Sequence, residues 1–138
     1  MASWNQPIIQ EFHSKAGKGV GPFGDQLMLL TTVGARSGEE RISPVMYHRD
    51  GERYVVVASK GGAPDNPAWY LNLKANPVAT VEVGAKTGTE TFQVRAREVK
   101  GKERDRMYAE RVAIAPGFGE YERQTSRKIP VMILERIG

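Results

Sequence analysis

Short apolar runs alternate along the chain with glycine, proline and charged residues, so most segments have the length of a strand. Residues 27–33, 41–49 and 54–59 are the first three such runs, and the third is rich in valine. Asp50-Gly51 stands between the second and third runs and is a typical signal for a tight hairpin. The pattern therefore predicts an antiparallel meander of three strands.

Three further runs follow in the second half of the chain. Residues 78–83 and 89–99 flank a turn at Lys86-Thr87-Gly88, and residues 129–134 have the composition of a final strand. So many short strands in one small domain favour a closed or partly closed barrel, because closure hides the sheet edges. We expect a mainly β (α+β) fold, a β-barrel of about six antiparallel strands with two or three outer helices.

Two helices are predicted within this barrel region. Asn66-Pro67 is a helix start signal, with Asn66 as the N-cap, and Asn76-Pro77 ends the same short helix. Residues 101–113 have helical composition. Both segments lie between predicted strands, so we expect them to pack on the outside of the barrel.

The N-terminal part of the chain has a different pattern. Residues 4–16 place apolar side chains at helical spacing, and the glycine-rich residues 17–24 follow. Although these glycines contain the pattern G-x-G-x-x-G, no predicted strand precedes them, so they do not indicate a dinucleotide-binding loop. We expect residues 1–24 to form an amphipathic helix and a linker, and residues 25–138 to form the barrel domain.

Composition excludes several classes of function. The chain has 138 residues and no cysteine, so it has no disulfide and no thiolate nucleophile or ligand. Its net charge of +4 arises from 20 basic and 16 acidic residues that are spread along the chain. Because nucleic-acid binders usually carry a clustered basic stripe, we expect no nucleic-acid partner, and binding of single strands by stacked aromatics is a distant alternative.

No apolar run approaches the roughly 18 residues that a membrane-spanning helix requires, and the first residues do not have the pattern of a secretory signal. We therefore expect a cytoplasmic protein. Trp4, Ile8, Ile9 and Phe12 could give the N-terminal helix a weak peripheral contact with a membrane. The alternative, which we prefer, is that the same side chains pack on the barrel.

Conventional catalytic motifs are missing from the sequence. His13 and His48 have no ligand-like spacing with carboxylates, so no metal is implied. There is neither a G-x-S-x-G nucleophile elbow nor a G-x-x-x-x-G-K-[ST] phosphate loop. Acyl transfer and phosphoryl transfer therefore have no support.

Two glycine-containing loops are suited to binding an anion. One carries Arg36 and is followed by Arg41, and the other carries Lys60. The loops leave the first and third strands, which run in the same direction in an antiparallel meander, so both reach one rim of the sheet. The three cations could converge there on a phosphate, or the loops could be ordinary turns with solvated side chains.

The predicted helix after Asn66 carries Trp69, Tyr70, Leu71 and Asn72. Aromatic residues beside leucines at helical spacing are usually core residues, and Asn72 could face water. Since this helix follows the lysine-bearing loop directly, a contact with a ligand bound at the same rim is the alternative.

Four segments together resemble the deazaflavin-dependent nitroreductase family: residues 30–38, 41–45, 58–63 and 66–77. The resemblance extends from about Leu27 to the end of the chain and includes residues 127–131. The family implies a split β-barrel like that of proteins that bind flavin mononucleotide (FMN). It also implies reduced coenzyme F420 as the hydride donor.

The resemblance assigns roles to residues in the loops and strands described above. The cations would hold the phosphate and acidic tail of the cofactor, and the second strand would line its ring. Ser59 would donate a hydrogen bond near the reacting groups, and Tyr121 would form a wall or lid of the substrate pocket, whereas the structural alternatives are a turn hydroxyl and a packing tyrosine. The implied cofactor contacts are Arg36, Ser37, Gly38, Arg41, Ile42, Ser43, Pro44, Val45, Met46, Val57, Ala58, Ser59, Lys60, Ala68, Trp69, Tyr70, Leu71 and Asn72.

The chain departs from the family pattern before its last strand. The nitroimidazole-activating member carries three aromatic hydroxyls there, where this chain has Ala115, Phe118 and Tyr121. We therefore expect an enzyme that reduces quinones, enones or lactones better than nitro compounds. In hydride transfer the cofactor carries the reactive carbon, which accounts for the missing catalytic motifs. An FMN-dependent oxidoreductase of the same barrel class or a non-catalytic carrier is the alternative, and a homodimer is compatible with this fold.

Overall fold

The computed structural model describes residues 6–138, in which six antiparallel strands form a closed barrel. Neighbouring strands follow the order β1-β2-β3-β6-β5-β4, and β4 closes the barrel by pairing with β1. The predicted fold class is confirmed. The strands are β1 Leu27–Val33, β2 Glu40–Asp50, β3 Arg53–Val57, β4 Val78–Gly84, β5 Thr89–Val99 and β6 Val131–Arg136.

Four α-helices accompany these strands within the described residues, rather than two or three. They are α1 Gln6–Ser14, α2 Ala68–Ala75, α3 Gly101–Ile114 and α4 Gly117–Gln124, and residues Gly21–Phe23 and Lys60–Gly62 form short 3₁₀ turns. The sequence pattern missed α4, since it contains two glycines, which lower helix propensity. None of the helices in residues 6–138 is long and apolar enough to cross a membrane.

Alternation along the strands divides the apolar side chains between the barrel interior and the outer helices. Val45 and Tyr47 of β2 belong to the interior cluster, whereas Met46 packs with side chains outside the barrel. The outer face of β1 is covered by Phe12 of α1, and α4 adds Phe118 to a second outer cluster. Helices α1, α2 and α4 therefore surround the outer face of β2, and a space remains between them.

Some boundaries differ from the sequence prediction for physical reasons. Pro67, not Asn66, is the N-cap of α2, because the Oδ1 atom of Asn66 accepts a hydrogen bond of 2.7 Å from Nη1 of Arg127. The last strand runs to Arg136 rather than to residue 134, since β5 continues to pair with its polar end. Trp4 lies outside the described residues, so its predicted place in the first helix stays a prediction.

Candidate functional site

An apolar cavity of about 470 Å³ lies on the outer face of β2, between α1, α2 and α4. Ten of the residues assigned from the sequence line it, and the others in its wall were not assigned. The first group is Ser43, Pro44, Val45, Met46, Val57, Ser59, Lys60, Ala68, Trp69 and Tyr121, and the second is Ile8, Phe23, Gly61, Pro67 and Phe118.

A second cavity, of about 630 Å³, lies beside the first and is called the basic cavity here because Arg36 and Arg41 line it. Ser43 and Ala68 line both cavities, so the two adjoin along the start of β2 and α2. The wall is completed by the loop that follows β1 and by α1. The remaining residues in this wall are Gln6, Ile9, Gly34, Ala35, Ser37, Glu40, Ile42, Leu71 and Asn72.

Three assigned residues lie in neither of these cavities. Ala58 is fully buried, and Gly38 has a φ of +72° and donates its N–H to the Gly34 carbonyl, which closes the turn after β1. Tyr70 is buried in the interior cluster and donates a hydrogen bond of 2.7 Å to Glu98. Burial, together with this carboxylate, raises the pKa of Tyr70 to about 12, so its hydroxyl stays neutral.

The three candidate cations do not meet at one point. Lys60 lines the apolar cavity, whereas Arg36 and Arg41 line the basic cavity. Lys60 forms a 3.0 Å ion pair with Asp65, and Arg41 forms a 3.0 Å ion pair with Glu39. Each pair joins residues that are close in the sequence, so an anionic ligand must compete with a nearby carboxylate for these two side chains.

The loop after β3 has an unusual backbone. Lys60 has a φ of +48°, which few residues other than glycine adopt, and two glycines with positive φ follow it. A Cβ atom at Gly62 would lie 3.2 Å from Cα of Tyr121 and 2.6 Å from Oε1 of Gln124. A glycine at this position therefore lets the loop pack directly against α4.

Arg127 holds this loop in place and was not among the assigned residues. Its guanidinium donates to the backbone carbonyls of Ala58, Ser59 and Ala63, at 3.1, 2.8 and 3.0 Å, and to the side chain of Asn66 at 2.7 Å. Four acceptors spread over nine residues are thereby fixed by one planar donor. Only the resemblance of residues 127–131 to the family pattern signalled this position, because no local periodicity marks it.

Asn72 performs a similar task for the loop after β1. Its Oδ1 atom accepts the N–H of Ala35 at 3.0 Å, and its Nδ2 atom donates to Oγ1 of Thr32 at 3.0 Å. The side chain is buried, so it does not simply face water, which was one sequence-based alternative. It links α2 to the loop that carries Arg36, and thus shapes the basic cavity.

Ser59 and Tyr121 lie on two sides of the apolar cavity. Ser59 is 8% exposed at the start of the lysine-bearing loop, and Tyr121 is half-buried on α4. The Tyr121 ring meets the Phe118 ring edge-on, with centroids 5.1 Å apart. Both hydroxyls are therefore near a space that could hold a ring, but their roles toward a ligand stay predictions.

The arrangement is suited to binding a large planar group with an anionic extension. The apolar cavity offers Pro44, Met46 and Trp69 to a ring, and the adjoining basic cavity offers Arg36 and Arg41 to negative charge. Within residues 6–138 no group of three histidine or acidic side chains is placed to hold a metal ion.

Comparison with known proteins assigns the chain to a family. The model of the F420H(2)-dependent quinone reductase family matches residues 5–136. An F420H(2)-dependent quinone reductase of Mycobacterium tuberculosis (strain ATCC 25618 / H37Rv) is 42% identical over 114 residues, which cover 79% of this chain and 72% of the relative.

Solved structures agree with this assignment. The structure of an F420-H2 dependent reductase superposes with a TM-score of 0.70 and 40% identity, and the match covers 80% of this chain and 94% of that one. A domain-swapped dimer superposes with a TM-score of 0.72 and 38% identity, over 96% of this chain and 95% of that one. The chain therefore belongs to the F420H(2)-dependent quinone reductase family.

Proposed function

We propose that this chain transfers a hydride from reduced coenzyme F420 to quinones and to other electron-poor conjugated molecules, such as enones and lactones. The observation that carries the proposal is the apolar cavity that adjoins the basic cavity through Ser43 and Ala68, in a chain of this family. A planar deazaflavin with a phosphate and an acidic tail has the same division into an apolar part and an anionic part.

The residues of both cavities fit this cofactor. Pro44, Met46 and Trp69 would pack against the ring, which apolar side chains recognise through buried area. Arg36 and Arg41 would bind the negative charges of the extension, and Lys60 would bind an anion at the border of the apolar cavity. Asn72 and Arg127 would keep the two loops in a binding geometry before the ligand arrives.

When bound, reduced F420 supplies a hydride, and a quinone that gains this hydride and one proton becomes a hydroquinone. The task of the chain is to hold the acceptor against the donor and to exclude water. Ser59 and Tyr121 would donate hydrogen bonds to the acceptor oxygens and thereby stabilise the negative charge that develops on them. After the hydride transfer, solvent supplies the proton that completes the hydroquinone.

The same geometry supports quinones over nitroimidazoles, which is the narrower part of the proposal. Phe118 lines the apolar cavity without a hydroxyl, and Ala115 has only a methyl group at the end of α3. Tyr121 therefore offers the one phenol among these three positions. A nitro group needs several donors as it is reduced, whereas a quinone is already an activated acceptor.

Two further expectations belong with this proposal. A homodimer is supported by the domain-swapped dimer among the similar structures, and light scattering of the purified protein tests it. The second expectation is a cytoplasmic protein whose helix α1 could make a weak contact with a membrane. Phe12 of this helix, however, is fully buried against the barrel. This burial favours packing over membrane contact, and sedimentation with anionic lipid vesicles distinguishes the two.

Titration of the purified protein with F420, followed by calorimetry, tests the main proposal. Lys60→Ala and Arg41→Ala should each weaken binding about 10-fold, because each removes one charge-assisted contact. Glu52→Gln, an exposed change in the β2–β3 turn, serves as the control. Binding of FMN instead of F420 would contradict the proposal and point to the flavin alternative.

A further inference from the structure

Behind the wall of the apolar cavity lies a buried pair of basic side chains that the proposed function does not use. Arg111 of α3 is 1% exposed and His48 of β2 is 3% exposed. Within residues 6–138, Nε and Nη1 of Arg111 and both ring nitrogens of His48 have no hydrogen-bond partner. Nη2 of Arg111 reaches Oε1 of Gln26 at 3.4 Å, which is a weak contact.

A buried guanidinium is normally paired with a carboxylate, because removing its charge from water is costly. Here the described residues place no carboxylate within 4.0 Å of Arg111. The acidic groups that act on His48 are Glu110, whose Oε1 atom is 3.8 Å from Nε2 of this histidine, and Asp50 at the end of β2. The Glu110 side chain is 40% exposed, so solvent screens much of its charge and it compensates the guanidinium only weakly.

The positive charge of this pair belongs to Arg111. Burial and the neighbouring guanidinium lower the pKa of His48 below its usual value, so the imidazole is neutral near pH 7. Burial also lowers the pKa of Arg111, but an arginine guanidinium starts from so high a value that it stays charged.

The guanidinium lies directly against the cavity wall. Its Cζ atom is 5.0 Å from the centroid of the Phe118 ring, and Phe118 lines the apolar cavity. His48 follows Met46 by two residues on the same face of β2, and Met46 lines the cavity as well. A buried cation with no carboxylate of the described residues within 4.0 Å therefore contacts an aromatic ring that lines the cavity.

We propose that Arg111 is a positioning residue that makes the Phe118 wall electrostatically positive, so that the apolar cavity favours a ring carrying delocalised negative charge. This inference rests on the proposed function, because the phenolic hydroxyl of a bound deazaflavin can ionise, and a quinone that has gained a hydride is negatively charged until it gains its proton. The charge acts through Phe118 and across a medium of low polarity, where a Coulomb interaction falls off slowly. A surface cation could not have this effect, because water would screen it.

The pKa of the phenolic hydroxyl of bound oxidised F420 tests this inference, since ionisation of that hydroxyl changes the visible absorption. Absorbance is titrated against pH at saturating F420 in the wild type and in Arg111→Met, which keeps the length of the side chain and removes its charge. We expect the bound hydroxyl of this variant to have a pKa about one unit higher.

Three other variants separate charge from packing. Arg111→Lys keeps the charge and should leave the pKa of the bound hydroxyl close to the wild-type value. Glu110→Gln removes a negative charge near the pair and should lower the pKa of the bound hydroxyl by a few tenths of a unit. Because this change is at an exposed side chain, it remains a test if Arg111→Met does not fold. Lys86→Met removes an exposed charge in the β4–β5 turn and should have no effect.

If F420 binds, the inference would be overturned by a bound hydroxyl with the same pKa in Arg111→Met as in the wild type. An unchanged pKa of this hydroxyl in Glu110→Gln would overturn it as well. Equal shifts in Arg111→Met and Arg111→Lys would assign the effect to packing of Phe118 and would also overturn it. A wild type that does not bind F420 would instead contradict the proposed function on which the inference rests.

Discussion

The carbonyl oxygen of Ser59 accepts a 2.8 Å hydrogen bond from Nη2 of Arg127, a residue 68 positions later in the chain. This contact fixes the backbone of the loop that carries Lys60 in its left-handed conformation. The conformation that presents a cation to the apolar cavity therefore depends on a side chain that does not line the cavity.

Replacing Arg127 with lysine should weaken F420 binding by up to about 10-fold, the loss expected for Lys60→Ala, because a lysine cannot reach four acceptors with one planar group. Calorimetry with F420 and with a deazaflavin analogue lacking the phosphate and tail measures the effect. The analogue should bind both proteins equally, since it does not use Lys60.

A double-mutant cycle that combines Arg127→Lys with Lys60→Ala provides the control. If Arg127 acts by placing Lys60, the double variant should bind F420 no more weakly than the weaker single variant. Additive losses would show that Arg127 contributes in another way.

Asp65→Asn should tighten F420 binding about twofold to fivefold, because it releases Lys60 from an exposed ion pair. The Lys60 ammonium holds the pKa of Asp65 below its usual value, so the carboxylate remains charged down to acidic pH. Lowering the pH from 7 to 5 should therefore not reproduce the gain. Calorimetry at both pH values measures this, with Glu52→Gln as the control, and weaker binding by Asp65→Asn would contradict competition.

Asn72→Leu should lower the free energy of unfolding by about 2 kcal/mol, because the Ala35 N–H and the Thr32 hydroxyl would lose their partners. Urea denaturation measures the change. Leu71→Ala on the exposed side of the same helix should alter stability by less than about 0.5 kcal/mol. Similar losses in the two variants would argue against a special role of the buried amide.

Steady-state assays with menadione and a nitroimidazole test the substrate preference. The wild type should have a kcat/KM at least about 10-fold higher for menadione. Phe118→Tyr adds a hydroxyl at the cavity wall and should raise the ratio of nitroimidazole to menadione turnover. Comparable wild-type rates on the two substrates would contradict the expected preference for quinones.

The fold could be predicted from the sequence because a local pattern marks each strand. Alternation, valine-rich runs and the Asp50-Gly51 turn are local features, and they placed all six strands. Helix α4 escaped detection, since Gly117 and Gly119 give it weak helix propensity and its contacts through Phe118 are tertiary.

The candidate site could be predicted only where its residues are close together both in the sequence and in space. The two loops and α2 were located, but the sequence left open whether Arg36 and Lys60 converge, and the two side chains line different cavities. Neither the four acceptors of Arg127 nor the contact of Arg111 with Phe118 could be predicted, because both join residues from separate elements. Long-range partners of this kind leave no local pattern.

The barrel order has a consequence for how the molecule is assembled. Strand β6 is inserted between β3 and β5 although both precede it in the chain, so two strand edges remain open until residues 131–136 arrive. Such open edges are prone to pair with other chains. Arg127 precedes β6 by only four residues, so the step that seals the barrel also delivers the guanidinium that sets the lysine-bearing loop. A partly folded chain with open edges would thus lack a competent binding loop, and ligand binding would report on completed folding.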